Sequence, residues 1–123
     1  MENTTGFQKL IVYQKAKLLA IFVYKVTKNF PVNEQHGMIS QMRRAIVSVA
    51  ANIVEGYTKS TTKDFIRYLD ISLGSLAEIE FYFELSLELG YIDINIYNKF
   101  QDQRLEVARL LRSFQKSLRE KSR

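Results

Sequence analysis

The chain has 123 residues, of which 46% are hydrophobic and 25% charged, and its net charge at neutral pH is +5. This balance predicts one globular domain over residues 1–123 and excludes a disordered chain. Cysteine is absent, which excludes disulfides and thiolate catalysis and leads us to expect a cytoplasmic protein. We expect neither a signal peptide nor a membrane span, because no uncharged apolar run approaches about 18 residues.

Four segments carry hydrophobic residues at helical spacing and predict an all-α protein. One proline and five glycines leave few turn signals for a sheet. Pro31 ends the first helix, because proline lacks an N–H and disfavours the α conformation of the residue before it. Gly56 and Gly90 are predicted to end the second and third helices. The predicted helices cover residues 7–29, 33–56, 61–89 and 94–119.

Further local signals refine the third and fourth helices. Ser60 or Thr61 can cap the third helix, and Asp93 or Asn95 opens the fourth. Gly74 lies in the middle of the third helix, where glycine costs about 1 kcal/mol in helix propensity. We expect this position to mark a close approach of another helix.

The second segment, PVNEQHGMISQMRRAIVSVAANIVEG, has an unusual distribution of polar residues. They fall at intervals of three, four, four and three, on one narrow stripe of an otherwise apolar helix. Such a helix is enclosed by neighbours on most sides, so we predict a buried or half-buried polar seam that maintains the bundle. The seam residues of this helix are Gln41, Arg44, Ser48, Asn52 and Glu55.

A chain reversal at residues 57–60 brings the second and third helices together as a hairpin. Arg44 then faces Glu78, which joins the seam, because a buried arginine requires a carboxylate partner. If the pair is buried, Arg44→Ala should destabilise the protein by a few kcal/mol. The same register predicts contacts nearer the loop, which join Asn52 and Glu55 to Arg67 and Asp64.

Four long helices joined by short loops predict an antiparallel up-down-up-down four-helix bundle. A small bundle needs one apolar stripe per helix, yet the first three helices carry more. We therefore expect copies of the chain to associate through the surplus apolar and aromatic side chains. The candidates are Phe22, Tyr24, Phe81, Tyr82 and Tyr91.

The sign of the charge alternates along the chain. Residues 1–60 hold eight Lys/Arg and three Asp/Glu, residues 61–97 hold two and seven, and residues 98–123 hold eight and three. This alternation can hold neighbouring helices or subunits together, or it can leave basic faces for an anionic partner. Basic side chains neutralise phosphates without reading base sequence. The candidate nucleic-acid-binding residues are Arg43, Lys59, Arg104, Arg109, Arg112, Lys116 and Arg119.

Residue types suited to catalysis are scarce. His36 is the single histidine, which excludes a histidine metal cluster within one chain, and its position beside Gln35 and Gly37 is typical of a surface helix start, so we expect no histidine-containing triad. Glu80, Glu84 and Glu88 lie four residues apart on one helix face, which is typical of a solvated face or a subunit contact. We predict a protein that is not an enzyme and holds no metal or cofactor.

The run from Pro31 to Gly56, followed by KSTTKDFIRYL and GSLAEIE, resembles the four-helix-bundle proteins encoded in intervening sequences of large-subunit ribosomal RNA genes. The opening FQKLIVYQKA is similar as well, so the resemblance covers essentially the whole chain. It implies a four-helix bundle that forms a ring-like homopentamer. A related group, the accessory variability proteins of diversity-generating retroelements, is basic and binds reverse transcriptase and nucleic acid.

Two functional hypotheses follow from the charge pattern and the resemblance. In the first, the chain is a non-enzymatic oligomeric protein that binds RNA or DNA through basic surfaces, alongside a protein partner. In the second, it is a ring-like scaffold that binds only proteins, and its charges serve subunit contacts. Fold-level analogy alone does not choose between them.

Overall fold

The computed structural model describes residues 6–121 and confirms the all-α four-helix bundle. Its helices are α1 (Ile11–Thr27), α2 (Ser40–Tyr57), α3 (Thr62–Glu88) and α4 (Ile94–Lys121). Successive helices run antiparallel, and both α1 and α3 pack on α2 and on α4. None of the helices within residues 6–121 is long and apolar enough to cross a membrane.

The hydrophobic core lies between the four helices and is built from one apolar stripe of each. At its centre the rings of Phe83 on α3 and Phe100 on α4 are fully buried and stacked, with centroids 3.8 Å apart and planes 3° from parallel. Phe22 of α1 extends the stack at 6.5 Å from Phe83. The other large side chains that are fully buried are Leu19, Val23, Met42, Ile46, Val49, Ile53, Leu69, Leu76, Ile79 and Leu111.

The first helix is shorter than the predicted segment 7–29. A 3-10 turn covers Gly6–Lys9, and Leu10 has an extended conformation with φ −72° and ψ 123°. The regular helix α1 then begins at Ile11 and ends at Thr27. The residue at which it begins is neither proline nor glycine, so the sequence pattern does not mark the break.

The predicted helix 33–56 is wrong in its first turns. A 3-10 turn over Val32–Glu34 and a wide turn over Gln35–Ile39 precede the regular helix. Within the wide turn Gly37 has a non-helical conformation, with φ −111° and ψ −105°. The chain therefore bends before it continues as α2 at Ser40.

Two predicted roles of glycine are also wrong. Gly56 does not end the second helix, because α2 continues to Tyr57. A Cβ at Gly56 would lie 2.8 Å from the ring of Phe65 and 2.9 Å from the Cβ of Tyr68, so the close approach of α2 and α3 is here. Gly74 is exposed, and among the described residues nothing packs within 4 Å of where its Cβ would stand.

The N-terminal caps of α3 and α4 agree with the sequence signals. The Thr61 hydroxyl accepts a hydrogen bond from the Asp64 N–H at 3.1 Å. The Asp93 carboxylate accepts one from the Ile96 N–H at 2.9 Å. Each cap satisfies a backbone donor that has no partner inside the helix.

Gly90 ends α3, as its position after the last apolar residue predicts. Its φ of +77° lies in the left-handed region that glycine adopts without a steric cost. The N–H of Gly90 returns to the Leu87 carbonyl at 3.1 Å, and that of Tyr91 returns to the Ser86 carbonyl at 2.9 Å. This pair of bonds is a Schellman motif, and it directs the chain into α4.

Tyr91 joins the α3–α4 connection to the turn before α2. Its hydroxyl donates a hydrogen bond to the Glu34 carboxylate at 2.8 Å, and this bond, with partial burial, raises the pKa of Tyr91 above its usual value. The folded protein therefore holds this proton more tightly than the unfolded chain.

The stabilisation by this contact is present below about pH 10 and is lost as the pH rises through the raised pKa. We therefore expect the stability difference between the parent and Tyr91→Phe to shrink at alkaline pH. Urea unfolding of both proteins across this range measures the difference. A difference that stays the same at every pH contradicts the assignment.

Candidate nucleic-acid interface

The outward face of the C-terminal half of α4 carries a row of cationic side chains. Arg109, Arg112, Lys116 and Arg119 follow at intervals of three, four and three residues, and all four are exposed. We call these four residues the α4 basic row. At a rise of about 1.5 Å per residue, the row is roughly 15 Å long. The salt bridges within residues 6–121 do not involve its first three members, whose charges remain available to an anion.

Packing on the opposite side of α4 turns the α4 basic row toward solvent. Val107 and Leu111 are buried in the core. Gln115 is buried too, and its amide donates hydrogen bonds to the Ile66 carbonyl at 3.2 Å and to the Asp70 carboxylate at 2.7 Å. These contacts fix both the rotation of α4 and its position along α3.

Further cations lie at the N-terminal end of α3, which is level with the C-terminal half of α4. The Lys59 ammonium lies 5.0 Å from the centroid of the Tyr68 ring, and the Arg67 guanidinium lies 4.7 Å from it, both at cation–π distance. Arg67 is also 4.0 Å from the Asp64 carboxylate, and Lys63 is exposed. Because the C-terminal half of α4 packs on this part of α3, the two groups form one basic end of the bundle.

Sequence reasoning identified Lys59 in this group but not Lys63 or Arg67. Both lie in the segment 61–97, and because the net charge of this segment is negative, a sum over the segment does not reveal its cations. They are the only two cations of that segment, and both fall within its first seven residues. This local clustering is the signal that would have revealed them.

Two predicted candidates make internal contacts instead. The side chain of Arg104 is only 15% exposed and pairs with Glu80 at 3.2 Å, so the protein already balances its charge. Arg43 packs its guanidinium 4.5 Å from the centroid of the Tyr24 ring and donates a hydrogen bond to the Thr27 hydroxyl at 3.0 Å. The structure therefore places Arg43 between α1 and α2 and Arg104 between α3 and α4, apart from the α4 basic row.

The predicted polar seam lies at the surface between α2 and α3. Arg44 pairs with Glu78, as the hairpin register predicts, and it also donates to the Gln41 side chain at 3.0 Å. The side chains of the ion pair are 52% and 36% exposed, however, so the pair is not buried. The surface position follows from the packing of α2, which buries its apolar stripe against α1 and α3 and leaves this face open.

The remaining seam residues follow the predicted register only in part. The hydroxyl groups of Ser48 and Ser75 are 2.8 Å apart and join the two helices. The Asn52 amide donates to the carbonyl of Ser48 on its own helix at 2.8 Å. Arg67, the partner expected for Asn52, instead lies 4.0 Å from the Asp64 carboxylate on its own helix. Glu55 is exposed.

We expect Arg44→Ala to lower the unfolding free energy by less than about 1 kcal/mol, because a solvent-exposed ion pair contributes little. The larger loss that a buried pair would produce does not apply to this geometry. Chemical denaturation of Arg44→Ala, Glu78→Gln and the double variant isolates the pairwise contribution. A loss of several kcal/mol for the single arginine variant contradicts a surface pair.

The basic end of the bundle favours binding of polyanions by charge. Arginine and lysine donate hydrogen bonds and carry positive charge at neutral pH, and the Tyr68 ring adds aromatic surface of the kind that contacts unpaired bases. No group of three or more His, Asp or Glu side chains within residues 6–121 is arranged to hold a metal ion.

Comparisons with known proteins identify relatives of this chain. The family profile described as 23S rRNA-intervening sequence protein matches residues 8–113. A crystal structure from Bacteroides thetaiotaomicron, of a protein with unknown function from the S23 ribosomal protein family, has a similar fold with a TM-score of 0.78. The two sequences are 32% identical, over 86% of this chain and 99% of that chain. No curated protein matches the chain.

Proposed function

The chain belongs to the 23S rRNA-intervening sequence protein family, and from its basic and exposed apolar surfaces we propose that it is a non-enzymatic cytoplasmic protein that self-associates and binds RNA or DNA. The α4 basic row is the observation that carries the nucleic-acid part of the proposal. The self-association part is supported by large apolar side chains left exposed on all four helices. The family resemblance implies a homopentamer, which we adopt as the expected assembly.

The α4 basic row is long enough to contact several phosphates of a nucleic-acid backbone. One strand of a duplex carries a phosphate about every 3.4 Å along the axis, so a row of roughly 15 Å spans about four phosphates. Contacts of this kind position the backbone and carry no sequence information. An oligomer that presents several rows would raise the effective concentration of each contact.

We expect fluorescently labelled RNA and DNA oligomers to bind at low salt without sequence preference. The logarithm of the affinity should fall linearly with the logarithm of the salt concentration, with a slope of about −3 for three or four phosphate contacts. Fluorescence anisotropy over a salt series measures this slope. An absence of binding at low salt, or binding that salt does not weaken, contradicts the proposal.

The alternative function is a scaffold that binds only proteins. It is motivated by the ion pairs Arg44–Glu78, Arg104–Glu80 and Lys15–Glu106, which join neighbouring helices of one copy, because similar pairs can join neighbouring copies. A pull-down with and without nuclease separates the two functions. Partners that survive nuclease support the scaffold, whereas partners that disappear support the nucleic-acid function.

The absolute mass of the purified protein tests the self-association directly. We expect a multiple of 14.4 kDa that persists after nuclease treatment, because subunit contacts do not depend on bound nucleic acid. Light scattering coupled to size-exclusion chromatography reports the mass. A particle of 14.4 kDa at every working concentration contradicts this part of the proposal.

A further inference from the structure

An apolar groove lies between α1 and α2. Its floor consists of Ala20, Ile21, Tyr24 and Val47, and the last three are substantially exposed. We call it the α1–α2 groove, and its volume is about 440 Å³. A cavity of roughly 150 Å³ admits a benzene ring. The groove therefore has room for an aromatic side chain.

The rim of the α1–α2 groove is positively charged. Lys17, Lys25 and Lys28 line it, and the salt bridges within residues 6–121 involve none of them. The Lys17 ammonium lies 5.6 Å from the centroid of the Tyr13 ring, on the same helix. The groove thus combines an apolar floor with lysines that have no carboxylate partner in the described part of the chain.

The C-terminal half of α3 carries the opposite combination. The large aromatic side chain of Phe81 is 55% exposed. Glu84 and Glu88 follow it by three and seven residues, which places all three on one face of the helix, and both glutamates are exposed. Neither glutamate forms a salt bridge within residues 6–121. We call these three residues the Phe81 face.

The bundle places the α1–α2 groove and the Phe81 face at the same end but on different sides. Helices α1 and α3 are diagonal to one another, since each packs on α2 and on α4. Both run antiparallel to α2, so their C-terminal halves lie at the same level along the bundle. The two surfaces therefore cannot meet within one copy, but a second copy can bring them together without a shift along the axis.

We propose that the Phe81 face of one copy docks in the α1–α2 groove of a second copy. The Phe81 ring would cover the apolar floor, and Glu84 and Glu88 would lie opposite the rim lysines. Three properties match across the two surfaces: apolar area meets apolar area, negative charge meets positive charge, and an aromatic ring meets a groove large enough to hold it. This match favours a second copy over a different partner.

The contact is heterologous, because it joins two different surfaces of the chain. Each docked copy keeps one free groove or one free face, and addition of further copies continues until a ring closes. The inference rests on the self-association in the proposed function and does not depend on nucleic-acid binding. Salt should weaken the assembly, because its charges lie at the surface of the contact.

Two substitutions at exposed positions test the proposed contact. Ile21→Glu places an acid in the groove, where it would repel the glutamates of the docking face, and Phe81→Gln removes the aromatic ring and keeps a good helix former. The control is Ile11→Glu, which makes the same exchange on α1 at a residue that is 57% exposed and lies outside the groove. Circular dichroism verifies that each variant is folded.

Light scattering should report the parental oligomer for the Ile11→Glu control and a 14.4 kDa monomer for Ile21→Glu and for Phe81→Gln. An equimolar mixture of the two monomeric variants should form a dimer of twice that mass and stop there. The reason is that the intact groove of the Phe81→Gln copy accepts the intact face of the Ile21→Glu copy, while the other two surfaces remain disabled.

Two results overturn the inference while the proposed self-association stands. The first is a parental mass for Ile21→Glu or Phe81→Gln alone, and the second is an equimolar mixture of the two variants that remains monomeric. A parent that is itself monomeric overturns the self-association and this inference together, and the mass of the parent therefore distinguishes the two failures.

Discussion

Replacing Arg109, Arg112 and Lys116 together by glutamine should reduce the slope of log affinity against log salt by about three, which corresponds to the loss of roughly one phosphate contact per residue. At low salt the affinity for RNA and DNA should fall by one to several orders of magnitude. The three positions are exposed, and glutamine is a good helix former, so the fold should persist.

The matched control keeps the charge and changes the shape of the side chains. Arg109→Lys with Arg112→Lys should retain the slope, because a phosphate contact without base reading depends on charge more than on the fork of the guanidinium. Fluorescence anisotropy over a salt series compares the two variants with the parent. If the glutamine variant retains the parental slope, the α4 basic row is not the interface and the proposal fails at this site.

The second large effect concerns the centre of the core. Phe100→Ala should lower the unfolding free energy by about 3–5 kcal/mol, because it removes a fully buried ring and leaves a cavity beside Phe83. Urea unfolding followed by circular dichroism measures the loss.

Leu105→Ala is the control on the same helix. Leu105 is 56% exposed, so its truncation should change the unfolding free energy by less than about 0.5 kcal/mol. A Phe100→Ala protein as stable as this control would mean that the four helices repack freely. The bundle would then not be held in one arrangement by its aromatic centre.

Much of the fold could be predicted from local patterns. The 3.6-residue period of apolar side chains identified four helices, and Thr61, Asp93 and Gly90 marked ends where hydrogen bonds within a few residues determine the outcome. The bend at Gly37 and the close approach at Gly56 were not predicted. A glycine permits a bend, a stop and a close approach equally well, and only the neighbouring helix selects among them.

The candidate site was predictable to a similar degree. Exposure of Arg109, Arg112 and Lys116 follows from helical spacing, since these residues lie opposite the apolar face of the same helix. The pairing of Arg104 with Glu80 depends on the rotation and register of α4 against α3, and a single helix carries no information about either.

The order of apolar and polar residues along the chain was sufficient to establish four helices, their antiparallel order and the basic character of α4, because each follows from interactions between residues close in sequence. The surface position of the Arg44–Glu78 pair, the pairing of Arg104 with Glu80, and the opposite placement of the α1–α2 groove and the Phe81 face were settled by packing. They depend on distances between helices, and those distances are set by how side chains far apart in sequence fill the core together.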